Sequence, residues 1–82
     1  MQQKNVVGTR IRDARLSSKE NLSQEDLAAR VQAMGVELDQ TMISRVETGD
    51  RQVTDIELFA ICRALRISVG SLFAAVRLPG DG

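Results

Sequence analysis

One local pattern recurs four times in this chain and commits it to helices. An apolar residue is followed at once by a small polar residue, and a second apolar residue stands five positions after the first. The four copies are Leu22-Ser23…Leu27, Leu38-Asp39…Ile43, Val53-Thr54…Leu58 and Ile67-Ser68…Leu72. This is a hydrophobic staple around an N-cap. The polar side chain takes a backbone N–H that a first helical turn leaves unpaired, and the flanking apolar pair clamps the incoming chain. Three copies add an acid or hydroxyl at the third helical position (Asp26, Glu57 and Ser71), and Thr54 with Glu57 makes a full capping box. Four matches are unlikely by chance, so four helix starts are expected.

A further helix precedes them. Val7, Ile11 and Ala14 recur at i, i+4 and i+7, which predicts an amphipathic helix from near Val6 to Leu16, followed by the polar loop Ser17–Asn21. Gly35 and Gly49 read as C-terminal stops of the second and third helices. No segment alternates as a half-buried strand would. The two aromatic residues, Phe59 and Phe73, leave a core of Leu, Ile, Val, Ala and Met, which suits helix-on-helix packing. The expectation is an all-α, compact five-helix bundle. At 82 residues the chain is read as one domain, with its core at about 6–76 and residues 77–82, with Pro79, as a fraying tail.

Several function classes drop out. No apolar run approaches about 18 residues and the polar start Met1–Asn5 has no signal-peptide pattern, so the expectation is a cytoplasmic protein with no membrane partner. The lone Cys62 has no internal disulfide partner and lies on an apolar helical stripe, so it reads as a small buried hydrophobe. The chain has no His, which removes Ser-His-Asp and Cys-His catalysis and the usual His-containing zinc sites. Its carboxylates fall at helix starts and on polar faces, where capping explains them better than catalysis does. No catalytic residue, metal, cofactor or small-molecule ligand is therefore expected.

Net charge is zero but unevenly spread. Residues 1–19 carry five basic side chains against Asp13, a net +4; residues 20–50 carry −5 and residues 51–82 carry +1. A basic first segment suits phosphates, while the acidic middle would have to turn its acids away, so charge alone leaves nucleic-acid binding open.

The third helix, Asp39 to Thr48, is more informative. Stepping about 100° per residue puts Gln40, Ser44, Thr48, Thr41 and Arg45, in that order, on one arc of roughly 140°. Met42, Val46 and Ile43 lie opposite, and Glu47 sits at the boundary. The polar arc has no carboxylate, although the segment around it is acidic. Gln can bond adenine bidentately, Arg can do so to guanine, and Thr or Ser can bond either or touch a thymine methyl. A short polar face can also be merely solvated. The order of elements favours the first reading, because two capped helices joined by a turn, the second with a polar outer face, form a helix-turn-helix.

The sequence resembles the phage repressor and Cro-type helix-turn-helix family, the XRE-like regulators, over about residues 6–76. The resemblance rests on Leu22-Ser23-Gln24-Glu25-Asp26-Leu27-Ala28, Ile43-Ser44-Arg45-Val46-Glu47-Thr48-Gly49, Leu58…Ile61-Cys62…Ala64-Leu65 and Ser71-Leu72-Phe73. It implies a lambda repressor-like DNA-binding fold and sequence-specific recognition of double-stranded DNA by a transcriptional regulator. By the same resemblance, Gln24 meets a phosphate and steadies the reading helix. Gln40, Thr41, Ser44 and Arg45 touch bases or nearby phosphates, with Thr48 on the same face, and Arg51 lies in a backbone-contacting loop. Arg15 and Glu47 match a buried ion pair joining the first helix to the third.

Three departures stand out. The stretch from Leu27 to Ile43 is about five residues longer than is usual in the family, so either the second helix is extended or the turn Gly35–Leu38 is enlarged. Asp50 sits in a loop expected to approach phosphate. Arg66 stands where a glycine often ends the fourth helix, a local cost if that residue is left-handed. One such module buries little DNA surface, so a homodimer on a palindrome is expected. The last helix offers Val69, Leu72, Phe73, Val76 and Leu78 for it, some of them necessarily internal. The competing reading is a helical protein-interaction module, an antitoxin or adaptor, that keeps the fold without DNA binding.

Overall fold

The computed structural model describes residues 3–74 and 76, and among these every regular element is helical. Five helices follow in order: α1 Gly8–Leu16, α2 Gln24–Ala33, α3 Gln40–Thr48, α4 Asp55–Leu65 and α5 Val69–Phe73. The four staples start α2 to α5 as read. Ser23, Asp39, Thr54 and Ser68 each accept the backbone N–H three residues on, from Asp26, Met42, Glu57 and Ser71, at 3.0, 2.8, 3.1 and 2.9 Å. Ser23 turns out to be as full a capping box as Thr54, because its own N–H donates to Asp26 Oδ2 at 3.0 Å.

α1 begins two residues later than its apolar spacing suggests. The Asn5 side-chain carbonyl accepts the N–H groups of Val7 and Gly8 at 3.0 and 2.7 Å, which holds the chain in a turn until Gly8. Gly8 is also a point of close approach. A Cβ there would lie 2.1 Å from the Val46 carbonyl oxygen, so α1 meets the end of α3 at a distance no side chain permits.

α2, α3 and α4 end alike. Residues Gly35, Gly49 and Arg66 are left-handed at φ 85°, 84° and 58°. The next N–H then reaches back five residues: Val36 to Val31, Asp50 to Arg45 and Ile67 to Cys62, at 3.3, 2.9 and 3.0 Å. Arg66 takes this conformation without glycine's freedom. Residues 34–39 connect α2 to α3, and Gln32 braces this turn by donating to the Leu38 carbonyl at 3.0 Å.

Ile11, Leu27, Val31, Leu38, Ile43, Val46 and Ile61 are fully buried and form the centre of the core. Each such side chain contributes about 1.5–3 kcal/mol by leaving water. α1 and α2 pack on α3, α2 also packs on α4, and α5 lies against α4 and α1. Leu72 faces inward at 3% exposure, so of the surface expected on the last helix it belongs to the core. Val69 and Phe73 are exposed and Val76 is half-buried, whereas Leu78 and the tail 77–82 lie outside the described residues. Cys62 is buried among these apolar groups, and burial pushes its thiol above the ordinary range, away from the reactive thiolate.

Candidate nucleic-acid interface

The underside of α3 is Ile43, Val46 and Glu47, all buried, and the opposite side leaves Gln40, Thr41, Arg45 and Thr48 exposed with Ser44 half-buried. The buried Glu47 carboxylate is the anchor of the site. Its Oε2 accepts Arg15 Nε at 2.8 Å and its Oε1 accepts Arg15 Nη2 at 3.0 Å, a two-point pair. The two side chains are 10% and 1% exposed. The hydrogen bond to Glu47 raises the Arg15 pKa despite the opposing effect of burial. Arg15 Nη1 also donates to the Leu22 carbonyl at 3.2 Å, tying the α1–α2 connection to the same point.

Two polar side chains extend this pair towards the surface. Gln24 Nε2 donates to Glu47 Oε1 at 3.0 Å, and Gln40 Nε2 donates to Gln24 Oε1 at 2.8 Å. Gln24 and Gln40, with Arg15, Ser23 and Glu25, line a shallow hollow where α2 and α3 both begin. Thr41, Arg45 and Arg51 lie along a second groove, with Lys4 and the acids Asp39 and Asp50. The residues of the α3 face are thus divided, Gln40 lining one hollow and Thr41 and Arg45 the other, while Ser44 and Thr48 line neither.

Two residues have partners within the protein that spacing did not suggest. Thr48 Oγ1 lies within hydrogen-bonding distance of the Arg45 carbonyl (3.2 Å) and Asp50 Oδ2 (3.1 Å), so its hydroxyl is engaged. Arg51 forks onto Glu57 at 2.8 and 2.9 Å, which joins the loop to the start of α4. The Arg51 hydrogen bonds are the main reason the Glu57 carboxyl lies below its ordinary value.

Sequence reasoning missed Asn5 and Lys4. Asn5 Nδ2 donates to the carbonyls of Val46 and Arg51 at 3.1 and 2.8 Å, and the Lys4 N–H donates to the Gly49 carbonyl at 2.9 Å. The chain's first described residues are therefore laid against the end of α3, and Lys4 reaches the groove beside Arg45. An Asn three residues before a glycine was the available sign of a turn before α1, but nothing in the sequence showed its reach to α3.

No helix among the described residues is long and apolar enough to cross a membrane, and no cluster of three potential metal ligands occurs there. The geometry defines a helix-turn-helix with its second helix turned outward. A helix-turn-helix family model matches residues 11–72, and the chain belongs to that family, the XRE-like, Cro-type regulators. It is in that general sense a DNA-binding transcription regulator, in a family whose domain is regulatory rather than catalytic. No curated protein matches the chain.

Proposed function

We propose that the protein is a sequence-specific regulator that enters the DNA major groove with α3, as a cytoplasmic homodimer on a palindromic operator. The observation that carries this reading is the outer face of α3, where Gln40, Thr41 and Arg45 are exposed and no residue of the helix face itself is a carboxylate. Gln40 and Arg45 are assigned to base edges. Thr41, Ser44 and Thr48 support them, and Gln24 with Arg51 meets the backbone on either side. Arg51 would use the N–H groups that its bonds to Glu57 and to the Gln52 carbonyl leave free. With Leu72 in the core, Val69 and Phe73 are the exposed apolar residues on α5 for a partner copy.

Selection of bound duplexes from a random pool by the full chain tests the reading. The expected product is an inverted repeat with two half-sites about one helical turn apart, or a multiple of that. Binding should weaken roughly 10³-fold between 50 and 200 mM salt if the dimer neutralises about six phosphates. Failure to retain any duplex at 50 mM salt would reject DNA binding. The interaction-module reading, favoured by zero net charge and by Asp50 in the groove, would then stand.

A further inference from the structure

Asp50 is an acid on a face that needs cations to meet DNA, and neither capping nor ion pairing accounts for it. Of the other carboxylates nearby, Asp39 caps α3, and Glu57 closes the capping box of α4 while holding Arg51. Asp50 does neither. It is exposed and lines the same groove as Lys4, Arg45 and Arg51, yet among the described residues it forms no ion pair.

The residue is tied in place on both sides. Its N–H donates to the Arg45 carbonyl at 2.9 Å behind left-handed Gly49, and its Oδ2 accepts the Thr48 hydroxyl at 3.1 Å. Asn5 holds the carbonyl of the next residue, Arg51, at 2.8 Å. These bonds keep the carboxylate at the groove. The place is also unfavourable for the fold, because Asp50 follows the C-terminal end of α3, where the helix dipole favours a cation and disfavours an anion.

We propose that Asp50 is a counter-charge: it opposes the approach of DNA phosphates to the groove beside Arg45 and so cuts the sequence-independent part of DNA binding. The proposal rests on the DNA-binding reading above. Attraction to phosphates supplies nearly all non-specific binding, and a fixed carboxylate among the three cations of the groove subtracts from it. Hydrogen bonds to base edges are a separate contribution, so they must supply more of the affinity. Zero net charge is then the mark of a DNA reader that leans little on the backbone.

The test measures binding of the full chain to its selected operator and to an unrelated duplex of the same length, for the wild type, Asp50→Asn and Asp50→Glu. Asp50→Asn keeps an oxygen for Thr48 and removes only the charge. It should bind both duplexes more tightly than the wild type, by roughly 10-fold at 50 mM salt, with the gain almost gone at 200 mM. That is the effect of one further effective phosphate contact per copy of a dimer, which steepens the salt slope by about 1.8. Its melting temperature should not fall, since the helix end loses an unfavourable charge. Asp50→Glu keeps the charge and should keep the wild-type affinities. A lower melting temperature, with weaker binding at an unchanged salt slope, would make Asp50 a structural bracket and overturn the proposal. Unchanged binding by Asp50→Asn would put the carboxylate away from phosphates and overturn it equally. A loss confined to one base pair of the operator would make Asp50 a base reader, with the same consequence. All three leave the DNA-binding reading intact. A chain that retains no duplex at 50 mM salt, wild type and Asp50→Asn alike, would overturn that reading and the proposal together.

Discussion

α3 meets α1 and α2 through a buried polar cluster as well as through the common core, whereas α2 meets α4 through apolar groups with a polar bracket outside. At the first seam, Arg15, Glu47 and Gln24 are hydrogen-bonded to one another, and the ion pair is almost wholly buried. At the second, Leu27, Ala28 and Val31 of α2 and Ala60, Ile61 and Ala64 of α4 belong to the common core. There Arg30 bridges outside, to Glu20 and to the Ala64 carbonyl, with side chains 31% and 41% exposed for the ion pair. Both seams use an arginine and a glutamate. The difference is water: a buried pair has nothing to replace a missing partner, while an exposed pair has solvent. Apolar contact holds two helices together over a range of small adjustments. A directed set of hydrogen bonds also specifies how they are set, and it lies beneath the helix whose face must meet a ligand in register.

The strongest challenge to this contrast is Arg15→Met, which leaves the Glu47 charge buried without its cation, with only the Gln24 amide beside it. It should cost about 3–5 kcal/mol of folding stability in urea melts, whereas Arg15→Met with Glu47→Leu should regain most of that. A single variant no worse than the double would make the polar seam equivalent to a surface pair. Next in size is Gly8→Ala at the same seam. The new Cβ must push away the backbone of α3, and a loss of about 1–3 kcal/mol is expected from overpacking. A neutral outcome would show that α1 can move off α3 freely. The smallest effect belongs to the outer bracket, where Arg30→Ala should cost less than either of these changes, and less again in high salt. That small gap should also close in acid. Hydrogen bonding from Arg30 lowers the Glu20 pKa below 4.5 in the folded protein, so the pair stabilises at neutral pH and its contribution is lost as pH falls through the folded value. A gap that widened in acid would contradict the assignment.

The parts of this structure that could be read from sequence are those whose chemistry closes within a few residues. Each staple needs only six positions, and the outer face of α3 follows from helical phase, so four helix starts and the exposure of Gln40, Thr41 and Arg45 were legible. Ser23 and Asp26 were recognised as cap and acid, and the structure adds that Asp26 returns the hydrogen bond. The start of α1 was misjudged because apolar periodicity runs through Val7 while the Asn5 turn overrides it. α5 is only five residues long, too short for a repeat to say that Leu72 is inside and Phe73 outside. Gly35 was legible as the stop of the second helix, and its left-handed backbone ends α2 there. The bond between Gln24 and Glu47 joins residues 23 apart, and no local rule predicts it.

Asn5 spans further still, with one end of its amide on α1 and the other on a carbonyl 46 residues away. A contact of that reach closes a long loop, so it gains nothing until the helices between have found their places. In the time course of assembly it is a closing clasp rather than a nucleus. The Val7 and Gly8 amides that it covers should therefore become protected from solvent exchange only as the last steps of folding are completed.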